Sequence, residues 1–472
     1  MSDISFQVFD IESHWIANEE NRLDASFYAK DVIASRVLIG ELEEKGIEIK
    51  TIEDFSDNIF WPGRFKRRYV SKKEGSPFLM PSEVIMFLPK AKKFIINYPK
   101  NISIKQNWIL ITRSGSIGRC IIITNLLEKS ILSDDLIRIV PKNDINLGYL
   151  YTYLNTWVGQ AFLIKDRYGA TVKHIEPHHV ANIPVPRIPE LEREINQRIL
   201  EVHRLREEAQ ELLLKAEEMI YSESELPEIS EDDVEYFGGD NGRVIKSFEI
   251  KASDINLRLD ASYHIPLFHL GIQNLMKARS GNLKRLEEIA DSFVPPRFKR
   301  AYVRDPSCGI PLLQGTHIPQ ITPQDIKYIW NKIKNLNLYI IRKNWILVTC
   351  SGTIGRLSLV RDYWNGWTAT NHLLRIIPNE SEIHPGYLTA FLLSIYGQVQ
   401  FQHLIYGGVV DEIGEAGALF DDILIPKTKN KDIENKIGNF TFKAYDKRDK
   451  ANHLENEAIE LLERRLKEIA AE

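Results

Sequence analysis

The sequence has few cysteines, no long apolar run and almost no net charge. Its three cysteines are scattered over 472 residues without a CxxC spacing, which argues against a disulfide framework or a thiolate zinc site and favours a reducing cytoplasm. No apolar stretch approaches the roughly 18 residues of a membrane span, and the first residues lack the basic and apolar regions of a signal peptide. The formal charge of −4 gives no global sign of nucleic-acid binding, so that function has to be argued from local charge.

The composition is that of an ordinary globular protein, with 43% hydrophobic and 27% charged residues. At roughly 150 residues per domain, the length indicates about three units, or two larger ones with connecting elements.

The chain repeats itself once. The segment Arg22 to Phe27 returns as Arg258 to Tyr263, and Asn107 to Arg119 returns as Asn344 to Arg356. Three further pairs keep the same order: Pro62 to Val70 with Pro295 to Val303, Gly75 to Leu79 with Gly309 to Leu313, and Gly148 to Leu150 with Gly386 to Leu388. Five motifs in constant order at nearly constant spacing predict a duplicated domain.

Each half is predicted to end in a long helix with an apolar seam. The first runs from Glu190 to Tyr221 and the second from Lys431 to Glu472. The predicted seams are Ile195, Ile199, Val202, Leu205, Ala209, Leu212, Ala216 and Met219, and Ile437, Phe440, Ala444, Ala451, Leu454, Ala458 and Leu461. A helix of about 32 residues spans roughly 48 Å, more than one domain core requires, so we expect the two helices to pack on each other. The alternative is that each packs only on its own half.

These patterns predict an α+β fold: two tandem-repeated domains, each followed by a long helix of the coiled-coil type, with the two helices packed on each other. The predicted divisions are a first domain over 1–189, a helix over 190–221, a linker over 222–246, a second domain over 247–427 and a second helix over 428–472. Ser222 to Glu235 holds seven acidic residues and no Lys or Arg, and is interpreted as a solvated linker, not a binding site.

Two basic clusters with interleaved aromatic residues stand at matching places in the halves. A DNA phosphate backbone requires this kind of surface. The predicted DNA-binding residues are Arg64, Lys66, Arg67, Arg68, Lys72 and Lys73 in the first cluster, and Arg297, Lys299, Arg300 and Arg304 in the second. Each cluster alone would usually be a solvated face, but its repetition in a near-neutral chain favours nucleic acid.

Downstream of each cluster the halves diverge in polar residues. Ser82, within Met80 to Val84, stands in the first half where Gln314 to Ile318 stands in the second. Ser, Gln and His side chains can pair with base edges, so Ser82, Gln314 and His317 are predicted to read bases on a shared scaffold.

The Ser-Gly-Ser/Thr-Ile-Gly-Arg motif does not fit a phosphate loop, because no Lys follows in a GxxxxGK[ST] pattern. Its glycines are interpreted as a tight turn at a domain edge. The predicted DNA-binding set includes the polar residues of both copies: Ser114, Ser116, Arg119, Ser351, Thr353 and Arg356.

No metal site or active site is predicted. His174, His178 and His179 lie near Glu176, but Pro177 interrupts them, and the second half has Asp411, Glu412 and Glu415 there instead. An adenine methyltransferase would require an aromatic residue after Pro295-Pro296, where Arg297 stands. The Glu48-Ile49-Lys50 and Glu249-Ile250-Lys251 triplets lack the further carboxylate that nucleases use, so a nuclease is only a remote alternative.

The order of these motifs over nearly the whole chain resembles the specificity subunit of type I restriction-modification enzymes. The resemblance implies a non-catalytic subunit whose two target-recognition domains read a bipartite, asymmetric sequence in double-stranded DNA. It also implies that the two long coiled-coil helices pack antiparallel as a spacer, so that the domains are related by a pseudo-two-fold. The helices would dock two DNA adenine methyltransferase subunits and, through them, restriction or translocase subunits. This chain would then carry no cofactor, while S-adenosylmethionine, ATP and Mg²⁺ would be bound by the partner subunits.

One segment departs from that family. Met1 to Phe27 precedes the first domain and resembles Phe248 to Tyr263 instead of a helix-terminal entry. A recognition subunit of another methyltransferase-linked phage-defence system therefore stays open, as does an unspecific DNA or RNA scaffold.

Overall fold

The computed structural model describes residues 27–168, 173–237, 247–255, 258–278, 282–406, 411–413 and 418–472, with five isolated positions before residue 27. Most of the leading segment, the glycine-rich end of the predicted linker and Glu415 lie outside the described residues. Across these ranges, none of the helices is both long enough and apolar enough to cross a membrane.

The first half contains two four-stranded sheets and a two-stranded one. Its strands are β1 Ile49–Thr51, β2 Ser56–Phe60, β3 Arg68–Val70, β4 Ser76–Leu79, β5 Lys93–Ile96, β6 Ile109–Thr112, β7 Cys120–Ile122, β8 Ile131–Leu132, β9 Leu136–Pro141 and β10 Pro184–Pro186. The central sheet has the order β2-β9-β6-β7, the outer sheet has the order β3-β5-β4-β8, and β1 pairs with β10. Its helices before the seam are α1 Lys30–Glu44, α2 Pro81–Val84, α3 Asn125–Glu128, α4 Leu147–Asn155, α5 Trp157–Lys165 and α6 Pro177–Ala181. The helix α7, Pro189–Ser224, follows.

The second half repeats this topology. Its strands are β11 Leu283–Arg285, β12 Ala290–Phe293, β13 Tyr302–Val303, β14 Gly309–Leu313, β15 Lys327–Trp330, β16 Ile346–Thr349, β17 Leu357–Leu359, β18 Thr368–Ala369, β19 Leu373–Pro378, β20 Ile405–Tyr406, β21 Glu412–Ile413 and β22 Leu424–Pro426. The sheets β12-β19-β16-β17, β13-β15-β14-β18 and β11-β22 match those of the first half, while β20 and β21 form an additional pair. Its helices are α8 Pro266–Lys277, α9 Pro385–Leu393, α10 Ile395–His403, α11 Ala418–Asp421 and α12 Lys431–Ala471.

The apolar run of strand β6 is buried on both faces because the central sheet lies between two cores. Ile109 and Ile111 face the helices, whereas Leu110 packs against the outer sheet. Successive strand side chains point to opposite faces, so a strand covered on both sides requires apolar residues at every position. Ile346 and Leu347 of β16 divide in the same way.

The segment after β9 forms two consecutive helices, α4 and α5, and not a single one. The hydroxyl of Thr156 accepts a hydrogen bond from the Gly159 amide at 3.1 Å and begins the second helix. A Cβ at Gly159 would lie 2.1 Å from the Tyr153 carbonyl oxygen, so only glycine allows this close turn. Ser394 and Gly397 make the same break between α9 and α10.

The prediction of two long helices that pack on each other is confirmed. Arg198 of α7 contacts Glu457 of α12, and Lys447, nearer the start of α12, contacts Glu208 of α7, so the two helices run antiparallel. The predicted span 190–221 differs from the observed Pro189–Ser224 by one residue at the start and three at the end.

The predicted seam is wrong in detail, because it was drawn from apolar residues alone. Leu212, Met219, Phe440, Leu454 and Leu461 are only partly buried. The buried seam instead includes five polar residues: Arg206, Gln210, Arg448, Asn452 and Glu455. Arg206 donates to Glu455 at 2.7 Å and to Asn452 at 3.2 Å, which satisfies charges that an apolar stripe would exclude.

Each long helix completes the core of the opposite half. Ala458 and Leu462, in the second part of α12, belong to the first half's core with Ile195. Ala216 and Ile220, in the last part of α7, belong to the second half's core. Each helix thus begins on its own domain and ends in the other, so the two predicted alternatives for helix packing both describe part of the arrangement.

The halves also touch through equivalent loops. The Phe87 amide donates to the Pro319 carbonyl at 2.8 Å, and the Ile321 amide donates to the Ile85 carbonyl at 3.0 Å. Between them, Met86 and Gln320 form an antiparallel bridge. These residues occupy matching places in the repeat, so the contact is self-complementary, as expected at a two-fold axis.

Candidate DNA interface

The first basic cluster lies on the loop before β3, on β3 and on the turn after it. Arg64, Lys66, Arg68, Lys72 and Lys73 are exposed, while Arg67 is half-buried. Tyr69 of the same strand is 47% exposed, and the Lys93 ammonium lies 5.1 Å from its ring centre. Both an aromatic face and positive charge are therefore available on one surface.

Much of this positive charge is neutralised within the chain. Arg67 donates to Asp134 at 2.5 Å. Lys72 pairs with Glu228 at 3.0 Å, and Lys73 pairs with Asp233 at 3.4 Å. The acidic segment is consequently not the purely solvated linker that its composition predicts, because carboxylates attract the lysines and Ile229 is buried in the second half's core.

The second basic cluster is arranged alike but lacks this compensation. Arg297, Lys299 and Arg304 are exposed, and Arg300 is half-buried. Among the residues that the structure describes, no carboxylate lies within 4.0 Å of these four side chains. Their charge is therefore available to a phosphate.

A surface pocket opens inside the second cluster. It is lined by Arg297, Phe298, Arg300, Tyr302, Asn371 and His372. The Phe298 ring lies 4.0 Å from the Tyr339 ring between centres, which fixes one wall. The Ser351 hydroxyl and His372 Nδ1 are 2.6 Å apart, which orients the imidazole. Burial, and then the charges of Arg300 and Arg297, lower the pKa of His372.

The residues predicted to read bases differ in where they lie. Ser82 is exposed on α2, and Gln314 is half-buried at the end of β14. His317 is buried, and its Nδ1 accepts a hydrogen bond from the Gln314 amide at 3.2 Å. Burial lowers the pKa of His317 to about 4. The interpretation of His317 as a base reader therefore requires correction: its ring supports the turn beneath Gln314.

The predicted tight turns form as expected. Gly115 and Gly118 have φ of 73° and 85°, and Gly352 and Gly355 repeat these values closely. Ser116 and Thr353 are exposed at the turns, and Ser114 and Ser351 are half-buried.

The turn arginines lie between the domains, not on the basic surfaces. Arg119 pairs with Asp325 of the second half at 2.5 Å and also donates to Gln324. Arg356 is half-buried and lies within electrostatic reach of Glu83 in the first half. Opposite charge from the other domain engages Arg119 and faces Arg356, and the prediction that these two arginines contact DNA stays a prediction.

The polar groups of the histidine-rich segment around Glu176 form hydrogen bonds within the first domain. Glu176 accepts from Arg113 at 2.5 Å and from the Tyr168 hydroxyl, and the Glu176 amide donates to His179 Nδ1 at 3.1 Å. Over the described ranges no group of three or more His, Cys, Asp or Glu side chains is arranged to hold a metal ion.

Sequence reasoning missed two buried arginines, Arg138 and Arg375. Arg138 donates to the carbonyls of Leu136, Leu132 and Ser133, and Arg375 donates to those of Leu373, Thr370 and Ala369. Burial lowers the pKa of Arg138 to about 10 and that of Arg375 to about 9. They tie β9 and β19 to the segments that carry Asp134 and Asn371. In the repeat, Arg138 and Arg375 have the same displacement as the two Ser-Gly turns, so the repeat alignment could have identified them.

Residues 44–204 match the family model described as the type I restriction modification DNA specificity domain. No curated protein matches the chain. Among solved structures, the type I restriction-modification S subunit from M. genitalium is 14% identical with a TM-score of 0.30, over 90% of this chain and 96% of that one. The HsdS subunit from Thermoanaerobacter tengcongensis is 12% identical with a TM-score of 0.28, over the same shares.

The family match covers one copy of the repeat, and the second copy carries the same motifs on the same topology. Over residues 44–204 the chain is therefore similar to the DNA specificity domain of type I restriction-modification systems.

Proposed function

We propose that the two halves of this chain read two different half-sites of one bipartite DNA target. The observation that carries this proposal is the self-complementary bridge between Met86 and Gln320, which relates two similar domains by a pseudo-two-fold. Identical domains so related would read an inverted repeat. Because Ser82 and Gln314 stand at diverging places on the shared scaffold, the half-sites are expected to differ.

The long helices set the spacing between the half-sites. A 36-residue helix such as α7 spans roughly 54 Å. Two domains that read the same groove on one side of the duplex have half-site centres about one helical turn of DNA apart, 34–36 Å. A long helix spacer between the domains makes this distance slightly larger. The expected target is therefore two short specific blocks with an unspecific gap.

The exposed side of α7 is proposed to dock methyltransferase subunits. Leu200 and Leu214 are 52% and 39% exposed, among charged residues that pair along the helix. Arg198 binds Glu194 at 2.7 Å, and Arg204 binds Glu201 at 2.7 Å. Two adenine methyltransferase subunits, with restriction or translocase subunits beyond them, would then supply S-adenosylmethionine, ATP and Mg²⁺.

Methylome sequencing of cells that carry this chain with its methyltransferase tests the reading of DNA. We expect one interrupted, asymmetric adenine-methylation motif, and a continuous palindrome would contradict the proposal. A matched pair of variants tests docking. Leu200→Asp should abolish co-purification of the methyltransferase while the chain stays folded, whereas Val202→Asp, at a buried position, should destabilise the chain itself.

If Leu200→Asp leaves co-purification unchanged in a folded chain, docking occurs elsewhere. The remote alternative of a nuclease is tested by incubating the purified chain with Mg²⁺ and plasmid, which should remain intact.

A further inference from the structure

The place in the first half that corresponds to the pocket of the second half is occupied by pairs of oppositely charged side chains. Asn371 and His372 stand immediately before β19, at the places that Asp134 and Asp135 hold before β9. Asp134 binds Arg67 at 2.5 Å, and Asp135 lies 3.8 Å from Arg113. In the second half, Arg300 stands at the place of Arg67, but Cys350 stands at the place of Arg113. An amide and an imidazole take the places of the two carboxylates. The pocket of the second half therefore combines two guanidinium groups that have no carboxylate partner among the described residues with the amide of Asn371 and the imidazole of His372.

These two kinds of group suit different parts of a DNA duplex. Guanidinium groups without a carboxylate partner bind phosphate, which positions a protein but carries no sequence information. A neutral Asn amide offers one donor and one acceptor, the pattern that pairs with N6 and N7 of adenine in the major groove. The Ser351 contact occupies Nδ1 of His372, which leaves Nε2 as the ring nitrogen without a hydrogen bond among the described residues.

The support beneath these side chains is rigid. Arg375 is completely buried and donates to the Thr370 carbonyl at 2.8 Å, one residue before Asn371. The Cys350 amide donates to the His372 carbonyl at 3.1 Å. A reading surface held by buried hydrogen bonds discriminates better than one on a loose loop, because little ordering is required on binding.

We propose that Asn371 and His372 are specificity-determining residues for the second half-site, where they contact base edges while Arg297 and Arg300 bind the flanking phosphates. This proposal rests on the proposed bipartite reading of DNA. It assigns the first half a different set of reading residues, because Asp134 and Asp135 face arginines of their own domain.

The test uses the full chain in complex with its methyltransferase. The methylome of the unaltered system first gives the motif, and methylation rates are then measured on duplexes with each base of both half-sites changed in turn. We expect Asn371→Ala and His372→Ala each to relax discrimination at one position of the second half-site by about 5- to 150-fold, the worth of a good base contact. Discrimination in the first half-site should not change. Asn58→Ala, at an exposed position on β2, is the matched control.

Each other outcome overturns the proposal. Unchanged discrimination in both variants removes these residues from the reading surface, and an equal loss on every duplex makes them positioning residues only. If an alanine variant fails to assemble, Asn371→Gln and His372→Gln are measured in its place and judged by the same two criteria. A wild-type methylome without a bipartite motif would instead contradict the proposed function, before any variant is made.

Discussion

The two halves share backbone architecture almost element for element but differ in how their charges are balanced. Arg67 of the first half binds Asp134, and Lys72 and Lys73 bind the acidic segment after α7. Arg300 of the second half faces Asn371 and His372 instead. The buried arginines Arg138 and Arg375, by contrast, bind the same backbone carbonyls in both halves. The comparison teaches that the scaffold is kept by backbone contacts, while the surface chemistry of each half varies independently.

The core of each half includes part of the other half's long helix, so truncation is expected to give the largest effect. Removing residues after Lys427 deletes α12, whose Ala458, Leu462 and Leu466 lie in the first half's core. We expect the remaining chain to lose cooperative unfolding and resist proteolysis poorly, including its first domain, because a large apolar surface becomes exposed. Circular dichroism melting and limited proteolysis measure this. A protected fragment covering 1–189 would show that the first half folds without α12.

The polar seam between the helices gives the second largest effect. Glu455 is buried, and the Tyr151 hydroxyl, Arg206 and Thr322 donate to it. Glu455→Ala leaves a buried, uncompensated arginine, which should cost about 3–5 kcal/mol and lower the midpoint of denaturant unfolding. Glu457→Ala is the matched control, because Glu457 lies two residues further along α12 in an exposed pair with Arg198. It should cost at most about 1 kcal/mol.

The outcome also sharpens the comparison between the halves. Leu213 of α7 stands where Glu455 stands in α12, and Arg448, the counterpart of Arg206, binds its own neighbour Asp449 at 2.8 Å. Equal losses for Glu455→Ala and Glu457→Ala would mean that the seam tolerates an unpaired Arg206.

Sequence alone predicted what repeats or is periodic. The duplication, the α+β class and the packing of the two long helices on each other follow from five ordered motifs and two apolar stripes, because period and spacing are visible in one dimension. Interactions that depend on a distant partner were not visible. His317 could not be recognised as buried, and Arg119 could not be assigned to Asp325, because nothing local marks a contact between residues about 200 positions apart.

The polar residues of the helix seam were not predicted from the sequence, for a related reason. A stripe drawn from apolar residues excludes Arg206 and Glu455 by definition, although each satisfies the other when both are buried. The positions Asn371 and His372 were within reach of the repeat alignment, but their meaning depends on the carboxylates that replace them in the first half.

Gln314 and His317, which follow β14, allow base reading to be distinguished from structural support. Gln314 has no side-chain hydrogen-bond partner within the described part of the chain, whereas His317 is buried beneath it. Gln314→Ala should cost roughly 1–3 kcal/mol of binding on the cognate second half-site and little on a scrambled one. His317→Ala should lower stability without changing discrimination. Binding titrations of the complex on both duplexes measure this, and an equal loss on cognate and scrambled DNA would remove Gln314 from the reading surface.

The smallest expected effect concerns the phosphate-binding charges themselves. Lys299→Ala with Arg304→Ala removes two side chains without carboxylate partners among the described residues, and should lower the slope of log K against log salt by up to about 1.8, or about 0.9 per phosphate contact. Lys72→Ala with Lys73→Ala should lower it less, because these lysines must first leave Glu228 and Asp233. Glu228→Gln with Asp233→Asn is the matched control, since it frees both lysines and should strengthen binding at low salt. Equal slopes for the two basic double variants, with no gain from the control, would show that the acidic segment does not compete with DNA and that the two halves present the same charge to it.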